Sequence, residues 1–214
     1  DSQYTFEPFS ETAYYYFDET EPIKTNLYNL MPCNSVSALG RSILMLYLIT
    51  GNNEYLIKSI AIAKFFKNYV FVEKEDRYIW GYRPILFINK QIEDFSHGSI
   101  EVSFVELLYS CGIIFEKEDI ERLINTFLFM RKENNISYYI DGTFKGKSDK
   151  INYTLKSTWW LDLSKYSYDV YQFVFNNFIE FKKSNIENSA AIMLTLAKLA
   201  KYFHLYSDNL INLE

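Results

Sequence analysis

NSVSALGRSILMLYLITGNNEYLIKSIAIAKFFKNYV, residues 34–70, decides the fold. Val36, Leu39, Ile43, Leu46 and Tyr47 recur at steps of three and four, which is the spacing of one helical face, and Gly51 follows as a residue that accepts the left-handed conformation of a helix stop. The spacing predicts a helix over 34–50, with Asn34 or Ser35 as its N-cap. Asn52 or Asn53 then caps a second helix to about residue 70, with Tyr55, Leu56, Ile60, Ala63 and Phe66 on one side. So short a joint makes the two helices antiparallel neighbours, an α-hairpin.

The plan returns further along the chain. Residues 96–111 carry Ile100, Phe104, Leu107, Leu108 and Cys111 at helical steps before Gly112, and residues 117–132 carry Ile120, Leu123, Ile124, Phe127 and Leu128. Leu46-Tyr47 before Gly51 is echoed by Leu108-Tyr109 before Gly112. A fainter third pair covers 167–182 and 186–206. One hairpin alone leaves an apolar face bare; stacked hairpins bury it continuously. The expectation is a mainly α chain, residues 1–214 forming a single domain of hairpins at about 34–70, 96–132 and 167–206. Short β segments or extended loops are expected between them, over 78–88, 138–144 and 152–163, where alternation and aromatic runs replace the helical period.

Composition sets limits. The 7 glycines and 4 prolines supply few turns, which disfavours a many-stranded sandwich or barrel. Lys and Arg number 22 against 27 Asp and Glu, a net charge of −5 with no basic run, so nucleic acid lacks its electrostatic footprint and no nucleic-acid partner is expected. The glycines are too scattered for a phosphate loop. The most apolar run, residues 42–49, is shorter than the roughly 20 residues of a bilayer span, and a soluble chain without a membrane span is expected. Its compartment stays open between cytoplasmic and exported. Cys33 and Cys111 read as two buried thiols. Aromatic residues make up 19% of the chain, more than one helical core needs, which points to rings lining a groove.

If the hairpins stack, the inter-hairpin segments emerge on one side, where loops on a rigid scaffold can carry chemistry. Two segments there stand out. In Trp80-Gly81-Tyr82-Arg83-Pro84, proline holds Arg83 extended. Glu93-Asp94-Phe95-Ser96-His97-Gly98 lies at the start of the third helix, where the dipole favours carboxylates, and Glu93, His97 and Glu101 fall at four-residue steps that align acid, imidazole and acid. Asp94 or Ser96 is the natural N-cap there. His97, Arg83, Tyr82, Glu93 and Asp94 are the candidate catalytic residues; Trp80, Trp159, Trp160, Glu101 and Asp141 are the candidate substrate-binding ones. His204 reads as a packing histidine. The spacing around His97 would admit a metal. One histidine without clustered cysteines is poor for zinc, however, and calcium asks for more oxygen ligands, so no metal and no cofactor is assigned.

Residues 37–41 (Ser-Ala-Leu-Gly-Arg), running into Leu46 to Leu56, together with the Trp80–Arg83 and Glu93–Gly98 segments, resemble the (α/α)-toroid sugar-active superfamily of polysaccharide lyases, uronyl hydrolases and epimerases. The resemblance covers about residues 34–132. It implies an incomplete toroid, since room exists for about three hairpins, and a glycan or small sugar as ligand. Aromatic rings would stack on sugar faces, and Arg83 would pair with a uronate carboxylate to acidify the C5 proton. His97 or Tyr82 would then act as base or acid in lyase or epimerase chemistry. Hydrolysis would instead need two carboxylates flanking the bond, Glu93 or Asp94 with Asp141 or Glu101. The other reading is a non-catalytic glycan- or protein-binding module. An unclosed stack leaves terminal apolar faces for a second subunit or a further domain to cover, with Tyr14-Tyr15-Tyr16-Phe17 as a cover within the chain.

Overall fold

A computed structural model describes residues 3–17, 30–84, 91–132, 135–144, 157–184 and 190–206. It is mainly helical. A hairpin of β1 (Tyr4–Glu7) and β2 (Thr12–Tyr15) comes first. Helices α1 (Cys33–Thr50) and α2 (Asn53–Phe65) follow, the latter widening into a π turn over Phe66–Val70. A short ladder of β3 (Val72–Lys74) and β4 (Arg77–Ile79) leads to α3 (Phe95–Ser110) and α4 (Lys117–Met130). Two-residue strands β5 (Arg131–Lys132) and β6 (Asn135–Ile136) come next, then a 3₁₀ helix over Ser157–Lys165, α5 (Tyr168–Ser184) and α6 (Ala190–Phe203). Each strand pair is antiparallel and local, with Tyr4 opposite Tyr15 and Val72 opposite Ile79.

The helix ends follow their residues. Gly51 closes α1 at φ 69° and donates to the Tyr47 carbonyl at 2.7 Å, and Gly112 past the end of α3 has φ 67°. Asn52 caps α2 by accepting the Glu54 N–H at 3.0 Å. At α4, Glu116 and Asp119 form a capping box, Asp119 accepting the Glu116 N–H at 2.7 Å. The start of α1 departs from expectation. Neither Asn34 nor Ser35 caps it; the helix begins at Cys33, whose N–H donates to the Tyr82 carbonyl at 3.0 Å. A carbonyl from a distant loop takes the first N–H, and the Asn34 side chain accepts the Ser35 N–H at 2.9 Å from within the first turn.

Helices α1 and α2, α3 and α4, and α5 and α6 touch as sequence neighbours, and α1 also packs along α3. The buried side of α1 is Val36, Ser37, Gly40 and Leu44, whereas Leu39 and Leu46 of the expected stripe are exposed. Phe104 of α3 explains the choice. A Cβ on Gly40 would stand 2.6 Å from its ring, so the missing side chain is what lets the two helices meet. Helix α3 is buried on nearly all sides, from Phe95 through Phe104 to Leu108. The 3₁₀ helix wedges against α3, α5 and α6. The 152–163 segment is therefore not extended where described: residues 157–163 are helical, and 152–156 lie outside the described residues, as do 85–88 of the first expected loop.

Cys33 is buried as expected, but Cys111 is exposed, because it follows the last turn of α3. Ala13 and Tyr15 of β2 are buried, and β2 lies against α2, where Tyr14 meets Phe65 at 5.2 Å. Among the described residues, α1 is the one helix with the length and composition of a membrane span, at mean hydropathy 1.2. It packs on α2 and α3 along its buried side and leaves Met45, Leu48 and Ile49 outside.

Candidate functional site

The inter-hairpin segments meet at the start of α3. Tyr82 donates its N–H to the Gln91 carbonyl at 3.0 Å, and Glu93 donates to Trp80 at 3.1 Å. On the other edge Phe95 donates to Tyr138 at 3.0 Å and Ile140 to Glu93 at 3.1 Å. The indole N–H of Trp160 reaches the Phe95 carbonyl at 2.7 Å and ties in the 3₁₀ helix. Residues 91–95 are thus the middle thread between two others, and the chain turns directly from that thread into α3.

Asp94 makes the turn. Its Oδ1 accepts the N–H groups of Ser96 at 2.8 Å and His97 at 3.1 Å, capping the helix. Its Oδ2 lies 2.7 Å from His97 Nδ1. A carboxylate accepts only, so Nδ1 carries the hydrogen and the lone pair sits on Nε2. The His97 side chain is 44% exposed. It lines a cleft of about 420 Å³ together with Asp94, Ser96, Ile100, Tyr138 and Trp159, a size in the range of small-ligand sites.

Tyr82 stands beside the imidazole, ring centres 5.6 Å apart, and burial followed by the charge of Glu93 raises its hydroxyl pKa, so the phenol stays protonated. The Arg83 guanidinium lies 6.0 Å from the Tyr82 ring centre and donates to the Leu30 carbonyl. Glu93 and Glu101 are sealed from solvent beneath the dyad. Burial pushes Glu93 up to about 8 and Glu101 well above the carboxylate range, the neighbouring Glu93 adding to the effect on Glu101. Cys33 is raised in the same way, by burial and then by Glu101 and Glu93.

The expected binding residues divide. Trp159 lines the cleft, half-buried, but Trp80 and Trp160 are fully buried and present no face to a ligand. They pack 6.3 Å apart behind α3, on either side of Gly98, where a Cβ would stand 3.2 Å from each indole. Gly98 makes room for two tryptophans rather than for a ligand. Glu101, fully buried, cannot touch a substrate at the surface either. Asp141 folds back on its own turn, accepting from the Thr143 N–H at 3.0 Å and hydroxyl at 2.7 Å. Tyr138 and Ile100 are cleft residues that the periodicity assigned to a strand and a core stripe; the adjacent pair Tyr138-Tyr139 was the available signal.

Donor atoms of Glu93, Asp94 and His97 lie within 4.8 Å of one another, close enough to suit a cation. Asp94 and His97 are already bonded to each other, and Asp94 is committed to the helix cap as well. Compared with known proteins, the chain matches no family model, no curated protein and no solved structure.

Proposed function

We propose that the cleft is the active site of an enzyme acting on acidic, uronate-containing glycans, with His97 as the acid–base group. The observation that carries this is the Asp94–His97 pair, 2.7 Å apart at a helix start, with Nε2 left for a reacting group in a cleft walled by Tyr138 and Trp159. A base works when a fixed partner selects its tautomer and stabilises the cation it becomes. Asp94 does both. The rings suit the apolar face of a sugar.

In this reading the substrate carboxylate pairs with Arg83, which lowers the cost of charge at C5. His97 Nε2 then takes the C5 proton. The C5–H electron pair either expels the leaving group at C4, giving an unsaturated product, or is reprotonated from the opposite face, giving the epimer. In this reading the Tyr82 hydroxyl supplies the proton. Hydrolysis has less support, since Glu93 and Glu101 are buried and Asp141 does not line the cleft. The hairpin contacts are consistent with part of an (α/α) toroid, and we take that as the architecture of the site.

The test is an assay of uronate polysaccharides for unsaturated product and for exchange at C5. His97→Ala and Arg83→Ala are each expected to lower turnover by about 100-fold or more. Full activity in both variants would overturn the reading. Binding of the same glycans with quenching of tryptophan emission and no turnover would leave a recognition module instead.

A further inference from the structure

At the start of α3 two carboxylates each give one oxygen to the backbone and hold the other apart from it. Asp94 spends Oδ1 on the N–H groups of Ser96 and His97, and its Oδ2 faces His97 Nδ1 at 2.7 Å. Glu93 Oε1 accepts the Asp94 N–H at 2.9 Å and lies 3.8 Å from the same Nδ1. Its Oε2 is buried with no donor from any described residue. Glu93 is fully buried, and its one ion-pair partner among the described residues is His97. A sealed carboxyl oxygen without a donor calls for a proton or a cation. Burial keeps Glu93 protonated up to about 8 when no ion is present, and a metal ion takes that proton's place when it binds.

The spacing of the donors suits a small ion. One ligand atom from each of Glu93, Asp94 and His97 lies within 4.8 Å of the other two. Ligands about 2.1 Å from a tetrahedral ion stand about 3.4 Å from one another. The two contacts of Nδ1, at 2.7 and 3.8 Å, fall on either side of that value, so small side-chain shifts complete the set. The dipole at this end of α3 opposes a cation with about half a unit of charge, which two carboxylates outweigh. His97 is partly exposed in the cleft, which gives an ion a way in and leaves a coordination position open. The imidazole nitrogen favours a transition metal over magnesium or calcium.

We propose that Glu93, Asp94 and His97 form a binding site for a divalent transition-metal ion, held by one carboxylate oxygen of each acid and by His97 Nδ1. Coordination breaks the hydrogen bond between Asp94 and Nδ1 and leaves the helix cap on Oδ1 in place. Nδ1 loses its hydrogen to solvent and Nε2 gains one, so the imidazole stays neutral. The ion and the base role therefore exclude each other, because Nε2 with a hydrogen cannot take a proton from a substrate. That consequence rests on reading His97 as the acid–base group; the site itself does not.

The experiment is a calorimetric titration of the chelator-treated full chain with zinc chloride, with proton and nitrogen NMR of the histidines on the same samples. The chain has two histidines, and His204→Gln identifies the signals of His97. One saturable zinc site per chain is expected, with Nδ1 of His97 passing from protonated to metal-bound and His204 unmoved. Glu93→Gln should weaken zinc binding at least about 10-fold, and His97→Ala should remove the site. If Glu93→Gln fails to fold, the wild-type spectra decide, since Nδ1 is the nitrogen that faces both acids. Absence of saturable zinc binding overturns the proposal. So does zinc on Nε2 with Nδ1 still protonated, or an affinity that Glu93→Gln leaves unchanged, because either puts the ion outside the acid cluster. No readout needs a glycan or turnover. A chain that binds zinc at Nδ1 but leaves uronates untouched counts against the enzyme reading alone, and an active chain without zinc binding counts against the metal site alone.

Discussion

Asp94 holds the start of α3 with one carboxylate oxygen and the ring of His97 with the other, at 2.8 Å to Ser96 N and 2.7 Å to His97 Nδ1. A single side chain thus fixes both where the helix begins and which imidazole nitrogen is free. The two roles separate by substitution. Asparagine caps about as well as aspartate, but its amide N–H would donate to Nδ1 and move the lone pair off Nε2. Asp94→Asn should therefore keep stability within about 0.5 kcal/mol while shifting the His97 tautomer, as read by nitrogen NMR. Asp94→Ala should lose the cap as well, at about 1 kcal/mol in urea unfolding.

Glu93 makes stability depend on pH in a defined sense. Burial raises its pKa from 4.5 to about 8, so between those values the folded chain holds a proton that the unfolded chain has lost. Stability is then highest at the acid end of that window and falls as pH rises through it. Glu93→Gln should flatten this slope, and denaturant midpoints at the two ends of the window measure it. A slope unchanged by the substitution would show that Glu93 is not the group responsible.

In the first turn of α4, Asp119 gives the opposite sign. Burial works against its ionisation, but the Tyr78 hydroxyl at 2.5 Å, the Glu116 N–H at 2.7 Å and Lys67 at 2.9 Å outweigh it and hold the carboxyl below 3.8. Its contribution is complete above the ordinary aspartate range and is lost as pH falls through the depressed value. Asp119→Ala leaves the Tyr78 hydroxyl without its acceptor and Lys67 with the Ile114 carbonyl alone, and should cost about 2–4 kcal/mol near neutral pH. The deficit should shrink in acid.

Gly98 offers a packing test close to the cleft. Alanine there brings a methyl group to 3.2 Å from both Trp80 and Trp160. The indoles must give by a few tenths of an ångström, at a cost of about 1–3 kcal/mol. Tryptophan emission should change with the stability, because two of the three tryptophans are the ones displaced.

The helices were legible because residues 34–70 state their ends openly: a glycine at φ 69°, an asparagine cap and a three-four period between. Which side of α1 is buried was less so. Leu39 and Leu46 look like core, but the contact is made by Gly40, and only a view of Phe104 reveals it. The four-residue spacing put Glu93 beside His97, as found at 3.8 Å, and Asp94, read as an N-cap candidate, is the cap and the nearer partner at 2.7 Å. It could not say that Glu93 and Glu101 would be sealed. That depends on α1 and the 80–82 thread packing over them from distant parts of the chain. The tryptophans misled for a related reason. Trp159 and Trp160 are adjacent in sequence, yet the 3₁₀ helix turns one to the cleft and the other into the core.

Nuclear magnetic resonance of a uronate polysaccharide incubated with the chain in deuterium oxide probes His97 most directly. The account requires loss of the C5 proton signal, through exchange or elimination, and a rate at least about 100-fold lower in His97→Ala. An equal rate in the variant, or no change at C5 in any uronate offered to the intact protein, would contradict it.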